Sequence, residues 1–236
     1  MKIAMMKGIG KPVSWCRWFV CRAAGSEIDR MLTLSMVFSI AMAMARVAHT
    51  GKLTYISLIW NLFLAWFPYM ISSWLQQRPL VQANRLQFAA ISCVWLLFIP
   101  NSFYILTDLF HLGEHTDAPM WFDLALIISF AWDGLLLGVL SVRQMERMTQ
   151  RFMPGKHELF FIYPIMWLNA LGVYIGRYPR FNSWDIITNP VGLSAYILKM
   201  LWHPIQYKYA WGMVACFSVF MTLVYLTIKR ISKAIH

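Results

Sequence analysis

Asn101, Tyr104, Asp108 and His111 stand at i, i+3, i+7 and i+10, a spacing that puts all four on one face of a helix. The surrounding residues are apolar, so this polar stripe must point into a bundle or a water-filled cavity and not at lipid. Asp108 and His111 have the spacing to chelate a divalent metal, with Asp123 or Asp185 as a third ligand. The same pair suits His–carboxylate acid–base chemistry, and the plainer reading is a loop edge where both face water. Arg177 and Arg180, followed by Asn182, offer bidentate donors to a phosphate. They can instead anchor a helix end at the headgroups or pair with Asp108, Asp123 or Asp185. The candidate catalytic set is therefore Tyr104, Asp108, His111, Asp123 and Asp185, with Arg177, Arg180 and Asn182 as an anion-binding group.

A second polar set, Asn61, Asn101, Asp133 and Asn169, lies inside apolar runs. A carboxylate at mid-membrane costs about 2.5–3.5 kcal/mol on insertion scales, so Asp133 needs a partner or a proton. It reads either as a proton relay or as a buried hydrogen bond to Asn61, Asn169 or a backbone carbonyl. Asp123 and Asp133 are ten residues apart, about 80° around a helix axis. Asn169, Gly172, Gly176 and Arg180 align on one face, and the Gly-xxx-Gly pair permits close helix contact. Pro100 frees the carbonyl of Leu96 and predicts a kink beside the stripe. No His-Glu-xx-His, Gly-x-Ser-x-Gly or phosphate-binding glycine loop occurs.

The elements that must position these residues are membrane helices. Hydrophobic residues make up 59% of the chain and charged residues 13%, about half the charged share of soluble domains. Six runs have the roughly 20 apolar residues that a span requires: Met31–Ala48, Tyr55–Leu75, Leu86–Leu109, Trp121–Val142, Glu158–Arg177 and Trp211–Ile228. The predicted fold is an all-α polytopic bundle over residues 31–228, between a basic N-terminal segment (1–30) and a basic tail (229–236). Pro12–Ala23 mixes tryptophans with arginines and reads as a surface helix, and Val191–Trp202 as an interfacial or re-entrant helix. Cys93 and Cys216 lie in apolar runs and Cys16 and Cys21 in the basic segment, without metal-ligand spacing or an expected disulfide.

The net charge of +11 is scattered between apolar runs, which reads as topology and not as a nucleic-acid face. With both termini inside, fifteen of the 21 Lys and Arg lie on the cytoplasmic side and six outside. That orientation puts Asp108, His111, Glu114, His115, Asp117 and Asp123 at the outer face with Arg177, Arg180, Asn182 and Asp185.

Four stretches occur together: Asn61-Leu-Phe-Leu-Ala-Trp-Phe-Pro68, the run from Pro100 to Leu112, Trp121-Phe-Asp123, and the run from Gly172 to Asp185. They resemble a family of bacterial integral membrane proteins known as domain of unknown function 1361, over roughly residues 55–230. Asp133 departs from the Asn expected at that place. The resemblance implies a multi-helix protein of a bacterial cytoplasmic membrane and supplies no activity. Three classes follow from the residues themselves: an embedded enzyme acting at the outer face on a lipid or lipid-linked phosphate, a transporter or flippase coupled to protons through Asp133, and a non-catalytic accessory subunit.

Overall fold

Hydrocarbon offers no hydrogen bonds, so an apolar run that crosses it must satisfy its own backbone as a helix. The computed structural model describes residues 27–113, 117–150 and 158–234. The surface helix expected at Pro12–Ala23, together with Cys16, Cys21, Glu114 and His115, lies outside these residues. Six helical segments are long and apolar enough to span a membrane. They comprise α1 (Glu27–Thr50), α2 (Ser57–Gln76), a broken third segment over Arg85–His111, α6 (Met120–Thr149), α7 (Glu158–Arg177) and α10 (Lys208–Ala234). No strand occurs among the described residues. The short α3 (Pro79–Ala83) precedes the third segment, and α8 (Asp185–Thr188) and α9 (Pro190–Trp202) follow α7. At 13 residues α9 is about 20 Å long, too short for a bilayer core of about 30 Å.

The fifth span matches its expected bounds, while the fourth runs seven residues beyond Val142 to Thr149. The third departs most from a single straight helix. It consists of α4 (Arg85–Phe98), α5 (Pro100–Tyr104) and a 3-10 turn over Ile105–His111. Pro100 opens α5 at its first position, where a missing backbone donor costs nothing.

This five-residue α5 packs against α2, α6 and α7 at once. Glycines make the approach possible. A Cβ on Gly134 would lie 2.6 Å from the carbonyl oxygen of Ser102, and one on Gly138 2.9 Å from the ring of Phe103. On the other side, a Cβ on Gly172 would meet Pro100 at 2.7 Å, and Gly176 faces Tyr104. The expected Gly-xxx-Gly contact therefore forms with α5 and not with a full-length helix. Ser102 Oγ also donates to the carbonyl of Ala65 at 2.8 Å, tying α5 to α2.

The end of the bundle opposite His111 closes on a buried charged knot. Lys229 of α10 bridges Glu146 of α6, at 2.6 Å, and Glu158 of α7, while Tyr225 donates to Glu146. Nearer the middle, Trp95 Nε1 donates to Ser141 Oγ (2.8 Å), which contacts the carbonyl of Pro68.

If α5 is held by glycine clearance, Gly134→Ala destabilises the fold by about 1–3 kcal/mol through overpacking. Gly212→Ala on α10, with open space around its Cβ position, is neutral or stabilising by up to about 1 kcal/mol. Reversible unfolding in mixed micelles separates the two; equal effects would contradict the packing account.

Candidate functional site

The 3-10 turn after α5 carries the chemistry. In such a turn residues i and i+3 eclipse, so Asp108 and His111 line up on one side. That side meets the end of α7. Arg177 Nη1 donates to Asp108 Oδ1 at 3.2 Å, and its Nη2 lies 2.7 Å from His111 Nε2. Arginine has no acceptor, so His111 presents the unprotonated Nε2 of a neutral ring. Asn61 of α2 donates to the other carboxylate oxygen of Asp108 at 3.1 Å. The Arg177 guanidinium lies 6.0 Å from the Tyr104 ring centre and 5.6 Å from that of Phe110. Tyr104, Asp108, His111 and Arg177 thus come together.

A second buried pair supports the cluster, and only one of its members was a sequence candidate. Arg46 of α1 grips Asp123 of α6 with Nε at 2.6 Å and Nη2 at 2.9 Å, both residues almost fully buried. Asp123 is thereby committed to Arg46 and is not shared with Asp108 and His111. The face of the Tyr55 ring lies 4.8 Å from Arg46, and its hydroxyl donates to the backbone carbonyl of His111 at 3.2 Å. Tyr55 adopts φ +64°, a conformation that costs a bulky residue about 1–3 kcal/mol and persists where surroundings enforce it. Arg46 stands with the first connection in a charge count; its place inside α1, opposite an aspartate at the head of another helix, is the signal that could have found it.

The remaining candidates separate. Asp133 faces α1, where Ser35 and Ser39 donate to its two oxygens, the latter at 2.6 Å. These serines replace the Asn61, Asn169 or carbonyl partners expected for it. Asp123 and Asp133 do share a face, and both meet α1. Asn169 is fully buried, and its amide has no hydrogen-bond partner among the described residues. Asn101 donates to the Phe98 carbonyl and to Ser183 Oγ, both at 3.0 Å. Arg180 does not continue the α7 face: the helix ends at Arg177, before Pro179, and Arg180 sits exposed at φ +60°. Asp185 accepts from the Asn182 backbone N–H (2.6 Å) and from Thr188 Oγ1 (2.8 Å). Those donors hold its carboxyl below the usual carboxylate range. Among the described residues no three His, Cys, Asp or Glu side chains are grouped to hold a metal ion.

A cavity of about 320 Å³ opens beside the cluster between α2, α4, α5, α7 and the α8–α9 segment. Its polar lining is Asn61, Asn101, Tyr104, Asn182 and Ser183. Asn61 and Tyr104 belong to both cavity and cluster, since one bonds Asp108 and the other lies beneath Arg177.

Six apolar spans define a multi-pass membrane protein, with a polar cluster beside a cavity in the bundle. The chain belongs to the family described as "Protein of unknown function (DUF1361)", whose model matches residues 60–225. The match includes Asn61, the 3-10 turn, Asp123 and the α7 end, and it begins after Arg46 and Tyr55. No curated protein and no solved structure matches the chain.

Removing one partner of a buried ion pair leaves an uncompensated charge. Arg46→Met therefore destabilises by about 3–5 kcal/mol, and the double change Arg46→Met with Asp123→Leu recovers most of the loss. Thermal unfolding in detergent checks this; a double variant as unstable as the single would show that the pair does more than neutralise itself.

Proposed function

We propose that this protein is a membrane-embedded enzyme acting on a lipid or lipid-linked phosphate. The observation that carries the reading is the junction at Asn61 and Tyr104, where a largely apolar cavity in the bundle's flank meets the Arg177–His111–Asp108 cluster. Arg177 holds the phosphate, with the exposed Arg180 and Asn182 near the same rim as further donors. Asp108 balances Arg177 until the anion arrives. When Arg177 turns toward phosphate it uncovers the His111 Nε2 lone pair, which takes a proton from the attacking group and, once protonated, passes it to the leaving group. Substrate binding and base activation are in this way a single event. Asp133, bonded to two serines of α1 and absent from the cavity lining, is poorly placed for proton-coupled transport.

This end of the bundle is read as the outer face of a bacterial cytoplasmic membrane, with both termini in the cytoplasm. Arg46 and Lys229 are buried in ion pairs. Taking one charge from each side leaves fourteen Lys and Arg inside against five outside, so the bias persists.

The test is turnover by purified protein in nanodiscs carrying farnesyl phosphate or phosphatidate, followed by phosphorus NMR. Wild type is expected to consume at least one of them, and His111→Ala to lose about 100-fold or more of that rate, the usual contribution of acid–base catalysis. Wild-type turnover in both His111→Ala and Asp108→Asn would sink the reading.

A further inference from the structure

The polar cluster meets the cavity only at Asn61 and Tyr104. Apart from Asn101, Asn182 and Ser183, the rest of the wall is hydrocarbon, including Leu64 of α2, Leu171 and Ile175 of α7, and Leu193 and Ile197 of α9. The rim carries Trp60, Leu97, Leu168 and Ile186, each more than a third exposed on the flank. On a spanning bundle such side chains face lipid. An amphiphile can therefore enter sideways, its tail staying in hydrocarbon throughout while its head reaches Asn61, Asn101 and Tyr104, the last beneath Arg177.

Volume limits what fits. A water-sized group takes about 30 Å³, so the cavity of about 320 Å³ holds roughly ten methylene-sized groups. That is one medium-length chain segment, and a second chain over the same length would have to lie outside the cavity. Tails gain no hydrophobic energy in moving from bilayer to an apolar wall, so selection rests on packing and cross-section.

We infer that the site selects phosphate amphiphiles with a single hydrocarbon tail, and that Leu193 and Ile197 of α9 form the wall that sets this preference. The inference rests on the reading that Arg177 receives the phosphate head. Helix α9 suits such a role. It buries only Met200 and is joined to the bundle by Trp211 Nε1 donating to the Met200 carbonyl (3.3 Å) and by the Tyr174–Tyr196 hydroxyl contact (3.3 Å). Substitutions at Leu193 or Ile197 thus leave the buried core untouched.

Binding is measured in nanodiscs of zwitterionic lipid with four probes: dodecyl phosphate, farnesyl phosphate, dioleoyl phosphatidate and propyl phosphate. Both single-tail probes are expected to bind at least tenfold tighter than the two-tail phosphatidate. Leu193→Trp, or Ile197→Trp if the first does not fold, is expected to weaken them at least tenfold more than it weakens propyl phosphate. Equal binding of phosphatidate, or equal effects of the tryptophan on long and short probes, overturns the inference while leaving the His111 turnover test intact. If no probe binds, propyl phosphate included, the phosphate reading itself fails and this inference falls with it.

Discussion

The close approach of Pro100–Tyr104 to α6 and α7 is the constraint on which everything else in the site depends. Gly134, Gly138, Gly172 and Gly176 clear the room that this approach needs. A short α5 followed by a 3-10 turn fits, because breaking the segment at Pro100 lets the chain enter the bundle at a new angle. The tight turn then brings Asp108 and His111 into line just where α7 ends and offers Arg177. Packing, in this instance, decides chemistry.

Buried charge is handled by three different means. Arg46 and Asp123 neutralise each other in bidentate geometry, and Asp133 relies on serine hydroxyls. Lys229 satisfies two glutamates at the opposite end. All three arrangements are internal to the bundle and tie spans together across long stretches of chain. The Arg177 cluster differs because it borders a cavity, and its guanidinium divides itself between a carboxylate and an imidazole. A group already shared between two partners can be redirected by a third, which is what an anion-binding site requires.

Much of this was legible in the residues. Apolar runs of about 20 residues announce spans because lipid permits few alternatives, and the polar stripe from Asn101 to His111 had to face inward for the same reason. The pairing of Arg177 with Asp108 was among the open alternatives. Other parts carried no usable signal. Ser35 and Ser39 are ordinary small residues in an apolar run, so nothing marked them as partners of Asp133. Arg46 near a helix end resembles a snorkelling charge, and only the fold brings Asp123 to it. The close seat of Pro100–Tyr104 depends on glycines 30 to 76 residues further along the chain. Arg180 fell off its expected face because the helix ended before Pro179.

The most direct measurement is nitrogen-15 NMR of histidine-labelled protein, with the His111 signals identified by their loss in His111→Asn. A neutral ring protonated on Nδ1 is expected, with an unprotonated Nε2 whose resonance moves sharply when Arg177 is replaced by Lys. A His111 ring protonated on Nε2, or one indifferent to Arg177, would mean that the turn and the end of α7 do not meet as described.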